Sequence, residues 1–405
     1  AATDPAASIM NRDMSPTESF DVAVIGGGVV GASFALALRS ASVSVALVEP
    51  QRPCPPPDDS SWDPRVYTIS PGNAEWLHGL DVWDELPLDR LCGVETMLVY
   101  GDLNSSRLEF DAYDAGLRDL AQVVENRELQ HALRKALERS AHVSLKTGSR
   151  CTDVRWEREC THLELEDGSR VSARLIVAAD GADSWVRCRA GIKQYVHDYG
   201  QVGVVANFAT QRSHNSTAFQ WFRPDGVLAL LPLPGNRVSM VWSAPEARAH
   251  ELIAAAPQRL CDEVRHASSG MLGRLELLTG CVGFPLRLHR VDRLVEPRAA
   301  LVGDAAHNVH PLAGQGVNLG LRDARELACV IDRRGAQQDC GDYALLRRYE
   351  RARKEDIMAL EFTTHGLEKL FSAKRVSLSR LRNMGLALVD AQPLLKKALI
   401  QRAVV

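Results

Sequence analysis

Apolar residues first gather at Phe20–Ile25 (FDVAVI), a run short enough for a strand. Glycines follow at 26, 27 and 28. Then comes VVGASFALALRSASV, whose small and apolar residues suit a buried helix, and a second apolar run, Val43–Val48, ending at Glu49. The pattern predicts strand, glycine turn, helix, strand and acid in about thirty residues. The next segment, QRPCPPPDDSSWDP, can hold neither a helix nor a central strand because proline lacks a ladder donor, so a surface loop is predicted. From Asn126 to Ser140, Leu129, Leu133 and Leu137 recur every fourth residue among charges, which predicts a one-sided surface helix packed on the first sheet.

Between Val143 and Ala179 the chain breaks into short alternating or apolar runs with turn signals, and LIVAAD (Leu175–Asp180) predicts a buried strand ending at an acidic turn. From Val196 to Leu288 it is again strand-rich (VGVVANF, FQWF, GVLALLPLP, RVSMVWS). A helical stretch, PEARAHELIAAAPQRLCDEV, interrupts this region, so a second sheet, mixed or antiparallel, is expected. Ala299–Val302 returns to a buried strand, followed by GDAAH and a long small-residue helix. Beyond Tyr343 the pattern is largely helical.

A chain of 405 residues exceeds the usual single-core domain, so two joined domains or one large α/β unit is expected. Apolar residues at 45% and charged residues at 24% fit a packed globular enzyme. A formal charge of -3, with no basic run interleaved with aromatics, argues against nucleic acid. The nine cysteines show no CxxC pair and no Cys/His spacing of a zinc site. They predict reduced thiols acting as small buried hydrophobes, and no metal. Residues 1–19 mix Ala, Ser, Pro, Asp and Arg without an apolar centre and predict a disordered leader. No window of about 18 apolar residues suggests a membrane span.

Candidate chemistry sits at the turns. Gly26-x-Gly28-x-x-Gly31 follows a strand and opens a helix, where glycines allow a tight turn, backbone approach to a pyrophosphate and close helix-to-sheet packing. Glu49, ending the second strand, is placed to bond a ribose hydroxyl; an acid there favours FAD or NAD over a 2′-phosphorylated adenosine. Far downstream, LVGDAAH (301–307) runs into HPLAGQGVNLG (310–320). Backbone N–H groups at a helix start there could stabilise electron density on a flavin, while Asp304 accepts from ribityl hydroxyls.

The segment HPLAGQGVNLGLRD resembles the signature of the FAD-dependent hydroxylases of ubiquinone biosynthesis, a branch of the aromatic monooxygenases built like p-hydroxybenzoate hydroxylase. The likeness also covers the glycine fingerprint, Asp180-Gly181-Ala182-x-Ser184-x-x-Arg187, GVLALLPLP and RRYERARK, running from Phe20 over the rest of the chain. It implies an α/β fold, with a Rossmann-like FAD-binding domain, an interleaved mixed-sheet substrate domain and a helical C-terminus. It further implies that Gly26, Gly28 and Gly31 hold the pyrophosphate, Glu49 the adenosine ribose, and that Arg65, in DPRVYTIS, reaches the pyrophosphate. Asp180 and Arg187 match the motif linked with FAD and the transient nicotinamide, Gly303 and Asp304 the ribityl contact, and Pro311, Gly314, Gln315, Gly316, Val317 and Asn318 the loop beside the isoalloxazine. In VVENREL the choice among Glu125, Asn126 and Arg127 stays open. No catalytic residue is identified. His307 and His310 invite a general-base reading, but a capping or packing role is favoured.

The implied reaction is hydroxylation of a polyprenylated phenol or quinol, using O2 and NAD(P)H through a flavin C4a-hydroperoxide, so that the cofactor supplies the hard step. A hydroxylase of a soluble aromatic, a flavin reductase and a non-catalytic FAD- or lipid-binding assembly subunit are the alternatives. The expected division is a leader at 1–19, an FAD-binding domain from 20–70, 115–193 and 286–330, a substrate domain from 71–114 and 194–285, and a helical region at 331–405. A cytoplasmic location is expected. The Lys- and Arg-rich stretch from His365 could rest on the anionic inner membrane face or on a partner protein, or be an ordinary helical cap with a solvated basic face.

Overall fold

The computed structural model describes residues 17–52, 61–101, 107–308, 315–335 and 337–372, with side chains except at 315 and 361–372. The first stretch forms β1 (Thr17–Ile25), α1 (Val29–Ala37), β2 (Val45–Glu49), β3 (Val66–Ile69), α2 (Pro71–Gly79), β4 (Cys92–Val94), β5 (Thr96–Tyr100), β6 (Arg107–Asp111) and β7 (Ala121–Glu125). It continues through α3 (Asn126–Arg139), β8 (Val143–Thr147), β9 (Cys151–Trp156), β10 (Thr161–Leu165), β11 (Arg170–Ala178) and α4 (Trp185–Arg189). The strand-rich middle holds β12 (Gln194–Thr210), β13 (Thr217–Arg223), β14 (Gly226–Leu233), β15 (Arg237–Pro245), α5 (Glu246–Ile253), α6 (Pro257–Ala267), β16 (Leu275–Leu277) and β17 (Val282–Val291). Last come β18 (Val295–Glu296), β19 (Ala299–Leu301), β20 (His307–Asn308), α7 (Gln315–Asp332) and α8 (Tyr343–Ser372).

Eight strands make the first sheet, in the order β18-β19-β11-β1-β2-β8, with β10 on β11 and β9 on β10. Its centre is parallel: β1 pairs with β2 and β11, and β11 with β19. Strands covered on both faces need no alternation. Accordingly Val22, Ala23, Val24, Leu175, Ile176 and Val177 are all fully buried, which is why VAVI and LIVAA show no apolar-polar alternation. The helix predicted at Asn126–Ser140 is α3; Leu129, Leu133 and Leu137 lie in the core of this sheet.

Nine strands make the second sheet, β20-β17-β12-β15-β14-β13-β5-β6 with β16 on β12, and it is antiparallel but for the β13–β5 pair. One face packs on α5 and α6 through Phe208, Trp221, Leu230, Met240, Trp242, Leu252, Leu260 and Val264. A third sheet, β3-β7-β4, is small. Several segments pack differently from the expected division: Thr17–Ser19, expected in the leader, begin β1 and pair with Arg170–Ser172, and 307–308 join the second sheet. Leu77, Leu80, Val82 and Leu86 join the core of the first sheet although 71–114 was assigned to the substrate domain. Residues 286–291 belong to β17 in the second sheet. Residues 121–125 belong to the third sheet. Short amphipathic pieces carry no mark of which core they join; that choice rests on distant partners.

Candidate active site

The glycine turn is built by close contacts. Gly26 sits at φ +104°, and a Cβ there would lie 2.3 Å from the Ala179 carbonyl oxygen, at the end of β11. At Gly31 a Cβ would lie 2.0 Å from the Gly26 carbonyl oxygen. These two glycines are packing glycines. Gly28 differs: a Cβ there would meet nothing within 4 Å, and as the N-cap of α1 it offers no side-chain cap to the first-turn N–H groups. The chain therefore leaves open the one position past which a pyrophosphate would run, with unsatisfied donors behind it.

Around this turn the other residues fall in sequence. Glu49 accepts from the Gly27 N–H at 2.7 Å and the Gln51 N–H at 2.9 Å, so its carboxylate is fixed beside the turn. On the other side Val30 lies against Gly303, whose added Cβ would be 3.2 Å from Val30 Cγ2, and against Gly320 of α7, where the corresponding distance is 2.7 Å. Gly303 (φ +60°) starts a tight 3-10 turn, Gly303–Ala305, that carries Asp304. Asp304 is surrounded closely by protein yet keeps an exposed surface, as a residue lining a cleft would. That crowding pushes its carboxyl above the usual range, and His307 and Arg65 pull it partly back. Glu49, the glycine turn and the Asp304 turn are thus neighbours, and Arg65 acts on the Asp304 carboxyl, a set termed the strip.

Arg65 is held from below. Buried Glu125 accepts from the Asp63 N–H at 2.6 Å and pairs with Arg90 at 3.1 Å and Arg127 at 3.4 Å. Burial raises the Glu125 carboxyl above its ordinary range against the pull of these partners. Asn126 accepts from Tyr67 Oη at 3.1 Å, and the Arg127 N–H donates to Asp63 Oδ2 at 3.1 Å. All three residues left open by sequence therefore fasten the Asp63–Tyr67 segment. A second support crosses from the antiparallel sheet, where Asn207 Nδ2 donates to the Asp63 carbonyl at 2.8 Å.

Arg187, expected at the cofactor, is 1% exposed. Its guanidinium donates to the carbonyls of Ala305 (3.0 Å) and Ala182 (2.8 Å), tying the Asp180 turn to the Asp304 turn. Asp180 caps α4, accepting from Ser184 Oγ and the Val186 N–H. The Asn318 amide is also turned inward, accepting from the Ser70 N–H (2.9 Å) and Asn73 Nδ2 (2.9 Å) and donating to the Thr68 carbonyl (2.7 Å). Gly316 has open space around it and Val317 packs against the first core. Pro311, Gly314 and His310 lie outside the described residues, and Gln315 is described only in backbone.

Sequence reasoning missed the group beneath the Asp304 turn. Fully buried Asp323 of α7 meets His307 Nε2 at 2.6 Å, Arg353 Nε of α8 at 2.8 Å and the Gly303 N–H at 3.1 Å. His307 and Arg353 hold its carboxyl below the usual range although burial opposes them. The signal was present: Gly320, Asp323, Ala324 and Leu327 share one helical stripe, and an acid on a buried stripe requires partners. His307 is thus engaged in packing and hydrogen bonding. Beside it His289 is buried against the Asp304 backbone, with no ring-nitrogen hydrogen bond of ordinary geometry among the described residues. Burial, with Arg187 nearby, lowers its pKa to about 4.

A family model described as "FAD binding domain" matches residues 19–363. The chain is 34% identical over 389 residues to the 3-demethoxyubiquinol 3-hydroxylase of Escherichia coli, spanning 96% of this chain and 98% of that one. It is 33% identical over 407 residues to ubiquinone hydroxylase UbiL of Rhodospirillum rubrum, spanning 100% and 94%. Among solved structures it resembles pqsL, a probable FAD-dependent monooxygenase from Pseudomonas aeruginosa, with TM-score 0.75 and 23% identity over 91% of this chain and 99% of that one. That likeness establishes the fold.

Proposed function

We infer, from the premise that this chain belongs to the FAD-binding-domain family and within it to the hydroxylases of ubiquinone biosynthesis, that it hydroxylates the aromatic ring of a polyprenylated phenol or quinol. The end-to-end match to two ubiquinone-pathway hydroxylases carries the reading. The strip from Glu49 to Arg65 supports it, because open Gly28 and exposed Asp304 suit a dinucleotide laid along it.

FAD, when bound, accepts a hydride from NAD(P)H and activates O2. The chain's own residues bind and orient. N–H groups at the start of α1 and Arg65 would hold the pyrophosphate, Glu49 the adenosine ribose, and Asp304 the ribityl hydroxyls. Arg187, Asp180 and Asn318 act through the backbone they fix. Backbone N–H groups of Gln315 to Val317, at the start of α7, would border the isoalloxazine. The parallel sheet would seat the cofactor, and the antiparallel sheet, tied to it through Asn207 and the Asp63 carbonyl, would border the ring to be hydroxylated.

Among the described residues no helix is long and apolar enough to cross a membrane. A polyprenyl tail partitions into the bilayer, so we place the enzyme peripherally on an anionic membrane face, through the basic residues from His365 onward. The test is complementation of strains each lacking one ring hydroxylase, with mass spectrometry of the accumulated quinone intermediates. Rescue of one strain, with label from dioxygen in the new hydroxyl, is expected. Rescue of none, with flavin bound, would move the assignment to a soluble aromatic substrate.

A further inference from the structure

Away from the cofactor strip, the hairpin joining β9 to β10 at the edge of the parallel sheet brings together three side chains that sequence spacing did not mark. Thr161 points into the core and is fully buried, so strand alternation turns Cys160 and His162 to the same outer side. The turn between the strands returns Glu157 to that side, closed by the Glu157 N–H donating to the Cys160 carbonyl at 3.0 Å. The apex is tethered, since Arg298 Nε donates to the Arg158 carbonyl at 2.7 Å, and Trp156 at the foot of the hairpin donates to the Arg189 carbonyl at 3.2 Å.

Cys160 Sγ and His162 Nε2 are 3.4 Å apart, His162 Nε2 and Glu157 Oε2 are 3.6 Å apart, and all three ligand atoms lie within 4.8 Å of one another. A tetrahedral zinc ion, with bonds of about 2.3 Å to sulfur and about 2.0 Å to nitrogen and oxygen, separates S from N by about 3.5 Å and N from O by about 3.3 Å. The two spacings from His162 match these values, and the Cys160–Glu157 pair, within 4.8 Å, needs at most a side-chain rotation to close on a shared ion. We propose that Glu157, Cys160 and His162 form a binding site for a single zinc-class divalent cation, with the fourth position open to solvent.

The ligand set selects the ion. One thiolate and one imidazole suit borderline-soft cations, whereas calcium and magnesium take oxygen ligands. On binding, the Cys160 thiol releases its proton to solvent. The ion's two positive charges are then met by one thiolate and one carboxylate, leaving a neutral centre. Side-chain exposures of 40% for His162 and 58% for Glu157 leave room for a water or an external ligand, the open arrangement of an exchangeable site. Arg155, opposite His162 in the register, turns its guanidinium out to solvent towards Asp153.

The test uses chelator-treated protein with its flavin retained, titrated with cobalt(II), whose tetrahedral thiolate complexes absorb in the red, clear of the flavin bands. One equivalent should raise that absorption and zinc(II) should abolish it. Cys160→Ser and His162→Ala should lack it while keeping flavin content and thermal midpoint, and Glu157→Gln should bind several-fold more weakly. Zinc should also slow alkylation of Cys160, mapped by peptide mass spectrometry, by roughly tenfold or more, because the coordinated thiolate is no longer a free nucleophile. No red absorption at stoichiometric cobalt, its persistence in Cys160→Ser, or an alkylation rate indifferent to zinc would each overturn the site.

Discussion

At the scale of the residue, Asp304 and His289 show how a binding site is charged against the interest of the bare fold. Crowding raises the Asp304 carboxyl, so the folded protein holds that proton more tightly than the unfolded chain does. The stability this confers is present below the ordinary carboxylate value and lost as pH rises through the raised one. At neutral pH the ionised group therefore burdens the flavin-free protein. Asp304→Asn should raise the melting temperature of the flavin-free form near neutrality and purify nearly colourless; full flavin occupancy in that variant would contradict the ribityl role. His289 has the opposite sign in acid. Its pKa falls from 6.5 to about 4, so the stability it permits is complete above 6.5 and is lost as pH falls towards about 4. A displacement of that size corresponds to about 3 kcal/mol. Urea unfolding across this window should show His289→Leu losing less stability than the parent; parallel curves would mean that the imidazole is not buried neutral.

At the scale of the element, the turn between β1 and α1 combines two demands that one glycine motif meets at different positions. Gly26 needs both its positive φ and its missing side chain, since a Cβ would strike the Ala179 carbonyl. Gly26→Ala should cost about 1–3 kcal/mol in strain alone, and more from the backbone displacement, leaving little folded protein in circular dichroism melts. Gly28, at φ -65° with open space beside it, asks neither of the fold. Gly28→Ala should stabilise the flavin-free protein by about 0.5 kcal/mol through the unfolded chain, while weakening FAD binding measured by fluorescence titration. Equal flavin affinity in Gly28→Ala would remove the pyrophosphate from this turn. The sequence displayed this element well, because strand, glycines, helix and acid are contiguous. It displayed the β9–β10 hairpin poorly, because the alternation that aligns Cys160 with His162 acquires its third member only when the turn folds back.

At the scale of the whole molecule, Asp323 fastens α7 and α8 to the turn that carries Asp304. Folding depresses its carboxyl, so the stability it supplies is present above the ordinary value of 3.8 and is lost as pH falls through the lowered one. Removing the acid leaves Arg353 without its buried partner. Asp323→Ala should therefore lose roughly 3–5 kcal/mol in chemical denaturation at neutral pH; a loss under about 1 kcal/mol would show that the network yields easily. What the sequence determined by itself was whatever rests on neighbours in the chain: the buried strands, the amphipathic α3, the glycine turn and the positions of Glu49 and Asp304. Only the tertiary structure decided the rest. It turned Arg187, Asn318, Glu125, Asn126 and Arg127 into supports for the strip, drew Leu77, Leu80, Val82 and Leu86 into the first core, and gathered Asp323 with His307 and Arg353. The reason is physical: periodicity records which face of an element is buried, whereas a buried polar group's partner is fixed by whichever distant segment packs against it.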